Sequence, residues 1–191
     1  MEEDGEYEIS VTDASVHDAA RDALLVKAIA ATLDRHDTRR ARIDVAVVGD
    51  AAITRLNLAH LDCPRPTDVL SFDLRDTDGL CGQGHADTRP IDGEIVVSVD
   101  TAVREARKRR HHADAELTLY VVHGTLHLLG YTDEDQSAAR RMHGLEDAIL
   151  ASLGLGAVFR RGNGEGDRGG SLNRPLRTGE QGCAAACGAT A

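Results

Sequence analysis

The sequence predicts an α+β domain, a small mixed β-sheet with helices packed on it, followed by a disordered tail. Three observations carry that expectation. Short stretches such as Tyr7–Thr12 and Ala41–Val48 alternate apolar and polar side chains at the period of a strand. Longer stretches repeat their apolar residues every three or four positions, as helices do. From Gly156 onward neither period survives.

Taken in order, Tyr7–Thr12 is the opening strand, and Ser15 begins a helix with Ala19, Leu24, Leu25, Ala28, Ile29 and Leu33 as its buried face. Ala41–Val48 is a second strand, with Ile43, Val45 and Val47 inward. Asp50 caps a short helix running through Ile53, Leu56 and Leu58 to about Leu61. Prolines at positions 64 and 66 stiffen the loop that follows, and Val69–Leu74 is a third strand. Asp76–Pro90, rich in Gly, Asp and Thr, reads as a loop in which His85 stands alone. Ile91–Val99 is a fourth strand, followed by a basic helix from about Asp100. Helices then cover Ala113–Leu129 and Glu134–Leu153, the second with Ala138, Met142, Leu145, Ile149 and Leu150 inward. We take 1–155 as one folded domain and 156–191, Gly- and Arg-rich, as a disordered tail.

Composition narrows the function classes. A chain of 191 residues with 41% hydrophobic residues suits one soluble domain with a sizeable core. No apolar run is long enough to cross a membrane, and the acidic start Met-Glu-Glu-Asp-Gly-Glu lacks the features of a signal peptide, so the expected location is cytoplasmic. Cys63, Cys81, Cys183 and Cys187 form no CxxC pair and no disulfide framework. The net charge of −10 argues against an anionic partner. Locally the balance reverses: Arg104, Arg107, Lys108, Arg109 and Arg110 precede His111 and His112. That run is either a solvated helix end or a patch that attracts phosphate.

The chemistry concentrates in Val121–Asp133. His123 and His127 stand four apart on the predicted helix, so both imidazoles leave one face and converge. They lie beside the apolar stripe of Leu119, Val122, Leu126 and Leu129, a position at the margin of a core. Gly130 supplies the left-handed backbone that ends a helix, and the chain turns back to bring Asp133 beside the pair. Two imidazoles and a carboxylate are the donor set of an open catalytic zinc site, in which water fills the fourth position. The other reading is that Asp133 caps the next helix, with Thr132 and Asp135 resembling a capping box.

Such an ion activates water for hydrolysis, so the expected reactive group is metal-bound water, with no catalytic side chain beyond it. In H-E-x-x-H peptidases the residue after the first histidine is the glutamate base, and here it is Gly124. A zincin-like helix is therefore present without the peptidase base.

His123-Gly-Thr-Leu-His127-Leu-Leu-Gly130-Tyr131, with Leu56-Asn57, Pro66-Thr-Asp-Val-Leu-Ser-Phe72 and Gly93-Glu-Ile-Val-Val97, closely resembles the YbeY family of single-strand-specific metallo-endoribonucleases. The resemblance spans about Tyr7–Leu155. It implies a zinc-dependent RNA hydrolase with one Zn2+ per chain, acting on single-stranded and ribosomal RNA at the ribosome. The implied roles are maturation of the 3′ end of 16S rRNA and ribosome quality control, with no DNA or membrane partner.

Two positions depart from the family pattern. Asp133 stands where the family usually has a third histidine. Its negative charge should leave the bound water less acidic and favour harder metals. Leu61 stands in register with an arginine that the family directs at RNA phosphate; Arg65, in the adjoining loop, is either its substitute or a solvent-exposed side chain. Ser71 and Phe72 either line the cleft or are ordinary strand residues, and Glu94 either orients a ligand or is buried at its strand. His60, His111, His112 and His143 are read as structural or surface residues. The rival readings are a zinc peptidase and a non-catalytic ribosome-associated factor with a structural metal.

Overall fold

The computed structural model describes residues 6–14, 18–75, 90–156 and 176–177. In chain order the elements are β1 (Glu6–Asp13), α1 (Ala19–Asp34), β2 (Arg40–Val48), α2 (Asp50–Leu61), β3 (Val69–Asp73) and β4 (Ile91–Ser98), then α3 (Val99–Arg109), α4 (Ala113–Leu128), α5 (Gln136–Ser152) and β5 (Leu176–Arg177). The sheet runs β1-β2-β4-β3-β5. β1, β2 and β4 are parallel, with Val11 opposite Val45 and Val45 opposite Ile95. β3 runs antiparallel to β4, with Ser71 opposite Ile95, so the sheet is mixed and the fold α+β as the sequence predicts.

Alternation along the strands divides the core. Ile43, Val45, Val47, Val69, Ile95 and Val97 face the layer of α1, α4 and α5, while Leu70, Phe72 and Val96 pack with Ile53 of α2 on the other side. Leu61 packs against this second cluster and completes its apolar layer.

Several local expectations are corrected. The first helix starts at Ala19, where the Asp18 carboxylate accepts from the Ala20 and Arg21 N–H groups; Ser15 lies outside the described residues. Ala19 is exposed and Leu24 half-buried, and Thr32 joins the inner face because its hydroxyl bonds back to the Ala28 carbonyl at 2.8 Å. Gly49, not Asp50, caps α2. Asp50 instead accepts from the hydroxyls of Ser98 and Thr101, tying the starts of α2 and α3 together. Leu58 is exposed, and Asn57 is the buried residue of that turn, its amide donating to the Arg65 carbonyl at 2.8 Å.

The helix expected to flank the core lies within it. α4 contacts α1, α3, α5, β3 and β4, and every residue from Ala115 to Leu128 is buried. An apolar stripe on one face understates this, because a helix enclosed on all sides must bury its polar side chains with partners. The basic run at the end of α3 is largely neutralised: Arg104 pairs with Asp50, Lys108 with Glu105, and Arg109 with buried Glu116.

Cys63 is half-buried on the loop between α2 and β3. The predicted loop at Asp76–Pro90 is outside the described residues except for Pro90, and so are His85, Cys81, Cys183 and Cys187. Of the tail expected to be disordered, the described part is Gly156 and β5, which pairs with Phe72 and Asp73. Among the described residues no helix is long and apolar enough to cross a membrane.

Candidate metal centre

His123, His127 and Asp133 converge: one ligand atom from each lies within 4.8 Å of the others. The turn that brings Asp133 back is built as the sequence predicts. Gly130 has φ of 92°, its N–H reaches the His127 carbonyl at 2.8 Å, and Tyr131 N–H reaches the Leu126 carbonyl at 3.0 Å. Tyr131 then holds the loop at both ends, its hydroxyl 3.1 Å from His36 Nε2 and its carbonyl 2.9 Å from His127 Nδ1. Asp133 is not a helix cap. That duty falls to Asp135, which accepts from the Ser137 and Ala138 N–H groups at 2.7 and 2.8 Å.

The imidazoles are 0% and 2% exposed, and burial pushes the pKa of each down to about 4. Both are therefore neutral at physiological pH, as metal ligands must be. A carbonyl only accepts, so His127 Nδ1 carries its proton and His127 Nε2 presents a lone pair. His123 Nε2 faces it at 2.8 Å, too close for a second lone pair, so a hydrogen lies between them in the metal-free site. On its other side His123 Nδ1 lies 2.6 Å from Glu146 Oε1. Glu146 is fully buried, and that burial pushes its carboxyl pKa up to about 8. The donor set fits a cation: two neutral imidazoles aimed at one point, each steadied at Nδ1, with a carboxylate beside them.

Glu146 was missed in the sequence reading, though a signal existed. It falls at the i+4 position of the Ala138–Met142 series, an inward place where the neighbouring Leu145 was assigned instead. Leu145 is only partly buried. Asp68 was also missed. Burial raises the pKa of its carboxyl, and it lies near enough to His123 and Tyr120 for their charges to interact. Its Oδ1 accepts from the Thr67 hydroxyl and the Val69 N–H at 3.0 and 2.9 Å.

Gly124 serves packing. A Cβ there would come 2.8 Å from Ser71 Oγ and 3.0 Å from Ile95 Cγ2, so α4 sits on the strands at a distance only glycine allows. Gly124→Ala should lower unfolding stability by about 1–3 kcal/mol in urea denaturation. Ser71 is thus a buried strand residue against α4, and a glutamate base has no room at position 124. Arg65 is exposed on the α2–β3 loop, three residues before Asp68, and lies outside the convergent group. Glu94 is half-buried on β4 opposite Phe72 and Asp44. His111 Nε2 lies 2.8 Å from the Glu116 carboxylate, whereas His60 and His112 are exposed. His143, on α5, is close enough to His123 and Glu146 for its charge to be felt by both.

A family model described as Endoribonuclease YbeY matches residues 6–154. The chain belongs to the YbeY family. A YbeY protein named as an endoribonuclease from an Anaeromyxobacter species is 41% identical over 133 residues, covering 69% of this chain and 64% of that protein. One from Moorella thermoacetica is 41% identical, covering 60% of this chain and 74% of its own. One from Roseiflexus castenholzii is 37% identical, covering 80% and 97%. A Thermotoga maritima protein whose structure was determined in solution shares the fold, with a TM-score of 0.50, 21% identity and coverage of 83% of this chain and 99% of that one. The YbeY match ends at residue 154, before the tail.

Proposed function

We propose that this chain is a zinc-dependent endoribonuclease that hydrolyses phosphodiesters in single-stranded RNA, with one Zn2+ held by His123, His127 and Asp133. The observation that carries the reading is the convergence of those three side chains within 4.8 Å, with both Nδ1 atoms already engaged. The names of the relatives supply the substrate class. Action on ribosomal RNA at the ribosome, in 16S 3′-end maturation and quality control in the cytoplasm, belongs to the same proposal. So does the division into a catalytic domain at 1–155 and a tail at 156–191.

Zinc in this site would lower the pKa of water toward ~7 and polarise a phosphoryl oxygen. The protein's own groups do the rest. Glu146 sets which nitrogen of His123 carries the proton, and the Tyr131 carbonyl does so for His127. Asp68, its Oδ1 fixed by Thr67 and Val69 and its charge felt by His123, is the carboxyl we assign to take a proton from the attacking water, a duty Gly124 cannot perform. Arg65, exposed on the loop leading to Asp68, is the cation we assign to substrate phosphate in place of the arginine replaced by Leu61. The crowding at Gly124 disfavours the peptidase reading.

The test is cleavage of a labelled single-stranded RNA by the full chain before and after chelation, with Zn2+ add-back. Cleavage should stop on chelation and return with the ion. Cleavage unaffected by chelator would remove the proposal, and chelator-sensitive cleavage of unfolded protein but not RNA would favour a peptidase.

A further inference from the structure

The end of α4 is held by a residue outside the metal-binding triad. The last turn of any helix leaves carbonyls without intrahelical donors. Here the carbonyls of Thr125, Leu126 and His127 accept from the N–H groups of Leu129, Tyr131 and Gly130. The next carbonyl, that of Leu128, accepts from Arg75 Nη2 at 2.9 Å. The same guanidinium grips Asp73, with Nε to Oδ1 at 2.8 Å and Nη2 to Oδ2 at 2.6 Å. Its side chain is only 11% exposed, and Leu74 N–H anchors the segment to the Asp92 carbonyl of β4 at 2.9 Å.

The Leu128 side chain is fixed as well. A Cβ on Gly93 would come 2.7 and 2.9 Å from its two terminal carbons, so Leu128 fills a notch that only glycine leaves open. Leu128 directly follows His127 and begins the turn that returns the chain to Asp133. We propose that Arg75 is a positioning residue for the metal site: bridging Asp73 to the Leu128 carbonyl, it locks the last turn of α4 and so holds His127 and Asp133 in register. The cation also lies at the negative end of the α4 dipole. This inference rests on the metal site proposed above.

Zn2+ is titrated calorimetrically into the full-length wild type, Arg75→Met, Arg75→Lys and His123→Ala, and urea unfolding is followed on the metal-free proteins. Arg75→Met should raise the Zn2+ Kd about tenfold, within the range that supporting residues of metal sites show. Arg75→Lys should recover part of that loss, because an ammonium can still donate to the carbonyl but cannot grip Asp73 with a planar fork. If Arg75→Met lowers stability while both variants keep the wild-type Kd, Arg75 only braces the fold and the inference is overturned. Should Arg75→Met fail to fold, the Kd of Arg75→Lys decides alone. A wild type that binds Zn2+ no better than His123→Ala removes the metal site itself, and this inference with it.

Discussion

Replacing Asp133 with alanine is expected to abolish stoichiometric Zn2+ binding and to cut RNA cleavage about a thousand-fold or more, the rate equivalent of the several kcal/mol that a Lewis acid contributes. The metal-free protein should unfold at nearly the wild-type denaturant concentration. Asp135 caps α5, so removing the Asp133 carboxylate leaves no helix N-terminus unsatisfied. What should vanish is the extra stability that added Zn2+ gives the wild type, since a ligand that binds only the folded state stabilises it in proportion to its affinity. Asp133→His should restore binding, because an imidazole is also a competent third ligand. A variant that binds Zn2+ and cleaves normally without the carboxylate would show that Asp133 is no ligand. Loss of stability in the metal-free variant, with no nuclease activity in the wild type, would instead favour a structural metal in a non-catalytic factor.

What was legible in advance follows the reach of the signal. The two histidines, the reversing glycine and the returning acid lie within eleven residues, so helical geometry and one left-handed φ suffice to bring them together. The strands were equally plain, because period-2 alternation is a local property of Ile43, Val45 and Val47. The partners of the imidazoles were not legible in this way. Glu146 reaches His123 across 23 residues, and nothing in the α4 sequence says which face of α5 will meet it. Arg75 reaches Leu128 across 53 residues. The enclosure of α4 was hidden for the same reason: periodicity reports which face is apolar, while the number of elements covering a helix is set by topology. The glycine at 124 is plain in the sequence, yet the physical reason for it, the close approach of Ser71 and Ile95, needs the register of β3 on β4.

Glu146→Gln is expected to weaken Zn2+ binding by about 10–100-fold, and above all to flatten its pH dependence below about 8. With a proton between the two Nε2 atoms, His123 Nδ1 must accept, and Glu146 supplies the hydrogen in its protonated form. With a cation held by both, the two Nε2 atoms would move apart and present lone pairs, His123 Nδ1 would carry the proton and Glu146 would be a carboxylate. Loading the site therefore expels one proton from the protein's own groups below the Glu146 pKa of about 8, and none from them above it. The sign follows: protons compete with the metal, so affinity rises with pH, and the share owed to Glu146, about tenfold per pH unit, ends at about 8. Neither imidazole contributes in that window, because burial holds both near 4. Titrations in buffers of different ionisation enthalpy would count the proton directly at pH 7. Glutamine can still accept from His123 Nδ1, yet it has no proton to give up and no charge to raise the basicity of the ring. A wild-type affinity that is flat between pH 6 and 8 would mean that Glu146 is already ionised before the metal arrives, and that the short contact with His123 is an ion pair.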